Sequence, residues 1–157
     1  MAFKFNPFTG EFDIVKKEIK IRAFDAAPLN NFSSNTPVDV PGLLLNITRA
    51  GDYDFNCILN LNHDQNEEAD LFIALQPINN RTVTLADGST VIIPAGTTYT
   101  FLFQVIRDRQ QKNQDQTLQG FFVLDNLENG DIVKFQLNTR GDNTDLQLRR
   151  AQGVTFV

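Results

Sequence analysis

GDYDFNCILNL (residues 51–61) alternates with the two-residue period of a β-strand. Tyr53, Phe55, Cys57, Leu59 and Leu61 fall on one side of that period, and Asp54, Asn56 and Asn60 on the other. One face is apolar and the other wettable, as in a sheet that covers a core on one side only. The same reading extends outward. LLLNIT (43–48) is a short run of strand formers, and LFIALQPI (71–78) is a largely apolar strand closed by Pro77. RTVTL (81–85) and TVIIP (90–94) flank Asp87-Gly88, a strong hairpin signal. TYTFLFQVI (98–106) alternates through Tyr99, Phe101, Phe103 and Val105. TLQGFFVLDNL (117–127) and DIVKFQLN (131–138) are joined through Glu128-Asn129-Gly130, and DLQLRRAQGVTFV (145–157) supplies one or two closing strands. Such a cadence, about eight to ten strands with no helical period, predicts an all-β antiparallel jelly roll or β-sandwich over residues 43–157.

Ahead of that block the sequence changes character. In KKEIKIRAFDAA (16–27), Ile19 and Ile21 alternate with Lys20 and Arg22, the pattern of a half-buried strand. Residues 28–42 hold Pro28, Pro37 and Pro41 among Asn and Ser, which predicts a long loop or strap. Residues 16–42 therefore read as an arm. MAFKFNPFTGEFDIV (1–15) places Phe3, Phe5, Phe8 and Phe12 within twelve residues, and Pro7 and Gly10 interrupt any regular run. Exposed aromatic rings invite association. The later segments already supply enough apolar faces for a core. Phe3, Phe5, Pro7, Phe8 and Phe12 are thus the expected partner-docking residues of an extended N-terminal segment, with Pro7 pre-ordering the backbone.

Composition excludes several classes. A net charge of -5 argues against nucleic acid as the partner, because phosphate binding needs a basic surface. The basic cluster Lys16, Lys17, Lys20 and Arg22 is interrupted by Glu18. No run approaches the length that crosses a membrane, and no apolar stretch follows Lys4 as a signal peptide requires. Folding in a cytoplasm is expected. Cys57 is the lone cysteine and sits in an apolar run, so it reads as a buried inert thiol.

The chemical motifs are poor. Asp64, Glu67, Glu68 and Asp70 crowd one segment, but it lacks the glycine turn of a calcium loop. Arg140-Gly141-Asp142 spells the integrin-binding tripeptide, and turn chemistry is its better reading. His63 has no nucleophile motif beside it and reads as a loop residue. RDRQQKNQDQ (107–116) is too polar for a core and reads as a solvated loop. No nucleophile, base or metal constellation emerges, so neither an enzyme nor a cofactor is expected.

Two resemblances add to this. Gly51, Tyr53 and Phe55, then Leu127, Gly130, Asp131 and Val133, look like the Gly-x-Tyr-x-Phe strand and the Leu-x-x-Gly-Asp-x-Val turn of trimeric jelly rolls of the tumour-necrosis-factor and complement-head type. Here Gly153 and Phe156 stand in a different order from that family's closing signature. The start, Phe3 to Asp13, is similar to short N-terminal segments of tailed-bacteriophage virion proteins, especially those of cyanobacterial phages. Together they imply a non-enzymatic virion protein. Its N-terminus would dock on another virion protein of the tail, baseplate or capsid, and its head would be a homotrimer. A tail or baseplate fibre component is the leading role, a capsid decoration protein the alternative, and a host-surface glycan a possible ligand of the head. A free carbohydrate-binding module is the reading from another class.

Overall fold

Residues 51–63 form the strand that their alternation predicts, and it becomes the spine of one of two packed sheets. The computed structural model describes residues 2–7, 9 and 11–156. The first sheet has the order β12 (Asp115–Leu127), β6 (Gly51–His63), β14 (Thr144–Phe156) and β3 (Glu18–Asp25). β4 (Leu29–Phe32) continues the outer side of β14 beyond β3. In the second sheet β5 (Val38–Asn46), β13 (Ile132–Asn138) and β7 (Glu68–Gln76) lie side by side. The far side of β7 is shared by β10 (Tyr99–Thr100) and β11 (Ile106–Arg109), with a 3-10 turn (Leu102–Gln104) between them. β8 (Arg81–Thr84) and β9 (Thr90–Ile93) form a separate hairpin around Asp87-Gly88. Gly88 has φ +83°, which suits glycine, and Asp87 accepts the Ser89 amide. All pairings between named strands are antiparallel, so the β-sandwich expected from the sequence is the fold observed.

The long strands change sheet at each step. β5 lies in the second sheet, β6 in the first, β7 in the second, β12 in the first, β13 in the second and β14 in the first. Every β6 residue of odd number from Tyr53 to Leu61 is buried between the sheets, as the alternation requires. Phe55 meets Phe135 edge-on across the sandwich at 6.2 Å between ring centres, and Phe122 lies 6.0 Å from the same ring. Tyr53 stacks on Phe55 at 5.8 Å, and its hydroxyl donates to the Arg49 carbonyl. Each such ring contributes about 1.5–3 kcal/mol by leaving water. Gly153 pairs with Phe55 across β14 and β6, and a Cβ there would lie 2.6 Å from Phe55 Cε1. The glycine leaves room for the ring.

Two expectations from the sequence need correction. Residues 16–42 are not an arm outside the sandwich. β3 pairs with β14 along its whole length, β4 pairs with β14, and β5 pairs with β13, so the sandwich begins near Glu18 rather than at Leu43. The prolines misled because they sit where a sheet tolerates them. Pro41 lies in edge strand β5 at the irregularity between the Asp39–Gln136 and Leu44–Lys134 pairs, where no ladder amide is lost. The second correction concerns the start, which is not an extended segment. β1 (Ala2–Asn6) and β2 (Glu11–Val15) form an antiparallel hairpin. Pro7 falls in the connection between the strands and so punctuates a turn instead of breaking a strand.

An ion pair between a buried arginine and a half-buried aspartate anchors β3 to the sandwich. The Arg149 guanidinium is buried and donates to Asp25 Oδ2 at 2.6 Å and to the Ala27 carbonyl at 2.9 Å. The Ala27 amide, first, and Arg149, second, hold the Asp25 carboxyl below the usual carboxylate range. A carboxyl with a depressed pKa in the folded state stabilises the fold above the unfolded-state value, about 3.9, and that stabilisation is lost as pH falls through the folded value. Asp25→Ala is therefore expected to lower the urea midpoint at neutral pH. The gap from wild type should close as the pH drops below about 4, a comparison that urea titrations at neutral and acid pH make directly.

Candidate assembly surface

The N-terminal hairpin brings the expected docking residues into register. Phe3 stands opposite Ile14 and Phe5 opposite Phe12, so apolar residues are matched pair by pair along the two strands. Phe5 is 53% exposed, and Pro7 is exposed in the connection. Phe8 lies outside the described residues. The hairpin forms a two-stranded sheet of its own, with no strand of the sandwich in its ladder.

A second surface was missed by sequence reasoning. It is the outward face of the first sheet. Even-numbered β6 residues, which point away from the core, align there with partners on β12, β14 and β3. One row across the strands reads Gln119, Ile58, Arg150 and Phe24. The next reads Phe121, Asn56, Gln152 and Arg22, and the next Val123, Asp54, Val154 and Lys20. A large apolar group at such positions is left in water: Phe121 is 67% exposed, Phe24 62%, Phe156 55% and Val123 52%. A monomer seldom leaves this much aromatic surface on one sheet face. The signal was present in the sequence. Phe121-Phe122-Val123-Leu124 places apolar residues at both parities of one strand, which a sheet wetted on one side does not need.

The face is also charged unevenly. Arg22 and Arg150 border one recess of about 410 Å³ with Asn56 and Gln152. Arg22 Nε donates to Gln152 Oε1 at 3.1 Å, and neither arginine takes part in an ion pair among the described residues. Asp125 stands exposed on β12, and Asp54 stands exposed on β6 in the row that ends in Lys20. Nearby, Leu102 and Phe103 of the 3-10 turn are also well exposed. The Gln104 amide donates to the Val123 carbonyl at 2.9 Å and holds that turn against the edge of β12.

The other candidate residues are committed to structure. Arg140 pairs with Glu68 at 3.0 Å and Asp70 at 3.3 Å, and buried Asp142 lies 3.0 Å from His63 Nδ1. The Arg-Gly-Asp tripeptide is thus locked within the fold and not presented as a ligand. His63 is a buried strand end rather than a loop residue, and Thr144 Oγ1 is 3.1 Å from the same ring nitrogen. With Asp and Thr both on Nδ1, the group lacks the two-sided arrangement of a nucleophile–base relay. Glu68 and Asp70 are neutralised by Arg107 and Arg140. Among the described residues no group of three or more His, Cys, Asp or Glu could hold a metal ion. Residues 107–116 are split between β11, a short connection and the start of β12, and Gln110 among them is buried. Cys57 is fully buried, and burial pushes its thiol well above the ordinary range, which leaves it unreactive.

No family model matches the sequence, and no curated protein does. Solved structures do share the fold. Murine APRIL superposes with a TM-score of 0.54 at 11% identity, covering 88% of this chain and 99% of that one. Eiger TNF from S. frugiperda gives 0.50 at 8% identity, covering 89% and 93%. A chain of the T13 particle of infectious bursal disease virus gives 0.51 at 12% identity, and this chain, covered in full, spans 35% of its length. The architecture is thus a jelly roll of the kind found in tumour-necrosis-factor-type heads and in viral capsid proteins.

Proposed function

We propose that this chain is a non-enzymatic virion structural protein, a component of a tailed-phage tail or baseplate fibre. In this reading its N-terminal hairpin docks on another virion protein, and its sandwich assembles as a homotrimeric head. The observation that carries the proposal is the outward face of the first sheet, where Phe24, Phe121, Phe156 and Val123 stand in water in the single chain. A surface of that kind is built to be covered, and closed cyclic assembly covers it without leaving a free end. Three heads held together present three hairpins at once, so weak single contacts add through avidity. The resemblance of Phe3 to Asp13 to phage virion leaders supports the docking role of Phe3, Phe5, Pro7, Phe8 and Phe12.

Removal of residues 2–13 tests the docking half. The truncated protein should keep its wild-type melting temperature and its oligomeric mass, and be lost from purified particles. Normal occupancy of the truncated chain in particles overturns the docking role. Light scattering on the full chain tests the head: three times the 17.7 kDa chain mass is expected.

A further inference from the structure

β12 is the outermost strand of the first sheet, and among the described residues only β6 pairs with it. In an antiparallel strand each residue turns its N–H and C=O to one side, and the next residue turns them to the other. The Asn126 amide donates to Asp52 of β6, whereas the Val123 carbonyl accepts the Gln104 amide from the far side. Phe121, Val123 and Asp125 therefore direct their backbone groups away from β6, along an edge that no described strand covers. Proteins commonly blunt such an edge with lysine, proline or a covering segment. Residues 121–125 contain neither lysine nor proline, and a single side chain sits on their edge. Gln104 imitates half of a peptide group there: its Nε2 donates to Val123, while its Oε1 is buried without a donor. A recess of about 280 Å³ opens beside the same stretch, with Leu75, Val83, Leu85, Phe101 and Leu127 among its walls. A cavity of about 150 Å³ admits benzene, so this recess has room for an aromatic side chain. On the outward face Asp54 stands opposite Val123, with Asp125 further along β12, and neither carboxylate is in an ion pair among the described residues.

We propose that the Phe121–Asp125 edge binds an extended, basic segment of a partner protein as an added antiparallel strand. Main-chain hydrogen bonds hold the segment, and its alternate side chains set the choice of partner. One of its amides takes the Val123 carbonyl from Gln104, and the carbonyl of the same residue receives the Val123 amide. Every second side chain then points toward the recess, where one aromatic or long aliphatic group fits. The side chains between them stand beside Asp125 and Asp54, and opposite charges across a strand pair favour Lys or Arg there. The contact goes beyond the trimeric virion reading and uses the edge of β12 rather than the outward face of the sheet.

Peptide binding to the full chain provides the test, read by fluorescence anisotropy and by amide hydrogen exchange. The probe is a labelled peptide, Val-Thr-Phe-Thr-Val with a lysine at each end. One comparison peptide is N-methylated at alternate amides, and another carries glutamate in place of lysine. The probe should bind and slow exchange at the Phe121, Val123 and Asp125 amides, and each comparison peptide should bind about tenfold more weakly. Val123→Pro should weaken the probe by a similar factor, because it removes an N–H that β6 does not use, and an edge strand tolerates proline. Gln104→Ala should strengthen the probe about fivefold, since one hydrogen bond no longer has to be displaced. A glutamine that only supports its turn would give no gain. Melting temperature monitors the fold of each variant, and Asp125→Lys, at an exposed position, should weaken the probe even if Val123→Pro does not fold. Equal binding of the N-methylated peptide, or unchanged exchange at the edge amides, overturns the added strand. Equal binding of the glutamate peptide overturns the basic partner. Exchange at these amides that slows with rising protein concentration in the chain alone assigns the edge to a second copy and likewise overturns the contact. Particle mass, which tests the trimer, is a separate reading, so a monomeric chain that still binds the probe removes the trimer and keeps the strand.

Discussion

Asp131→Ala is expected to destabilise the fold by about 3–5 kcal/mol, the range for removing one partner of a buried charge network. Asp131 has no exposed surface and serves three donors. Its Oδ1 accepts the Ile78 amide at 2.9 Å, and its Oδ2 accepts the Glu128 amide at 2.7 Å and the Arg81 guanidinium. Around it the Ile47 amide donates to the Asp131 carbonyl, and the Gly130 amide donates to the Ile47 carbonyl. One carboxylate thus fastens the turn before β13 to the end of β7 and the start of β8. Without it, two amides and Arg81 Nη1 lose their acceptor, and the guanidinium keeps only the exposed Glu128, 3.2 Å from Nη2. Asp131→Asn keeps one carbonyl oxygen and should recover part of the loss. Urea unfolding checks both. A change below about 1 kcal/mol for the alanine variant, the size of an ordinary hydrogen bond, would show that the corner is held by something else.

Phe55→Ala should cost a similar amount, about 3–5 kcal/mol, through lost burial and the cavity left behind. Phe55 touches both Tyr53 and Phe135, so its removal unlinks the two sheets at their aromatic centre. The adjacent glycine provides an internal control. Gly153→Ala alone forces a methyl group against the ring and should cost about 1–3 kcal/mol. In the Phe55→Ala background the same methyl enters space already emptied, so the two losses should add to less than their sum. Strict additivity in a double-mutant cycle would refute the packing account of Gly153.

What could be read from the sequence follows from how each residue earns its place. β6 was legible because its buried and exposed sides differ at nearly every step. The β8–β9 hairpin was legible because Asp87-Gly88 answers a specific turn requirement. The tight turn at Gly130-Asp131 was visible as a motif, but the acceptor role of the Asp131 side chain needs three partners that are distant in sequence. β5 was obscured by Pro41, whose tolerance depends on being at a sheet edge, a fact only pairing reveals. β14 was blurred by buried Arg149, a charge on the core side that makes sense only beside Asp25. The outward patch was blurred for the opposite reason. Phe121 and Phe24 look like core residues until the register sets them on the side facing away.

The alternation of strands between sheets also governs the order in which the chain can become a protein. β14, the last of the described strands, lies between β6 and β3 and so completes the middle of the first sheet. Until a ribosome has released those residues, β3 and β4 have no neighbour to bond. Nearly every lasting contact joins residues far apart in the chain, a topology that folds slowly. The N-terminal hairpin needs none of this, since its two strands are separated by a few residues. Its pairing is local and waits on no strand of the head, although two strands alone are only marginally stable in water.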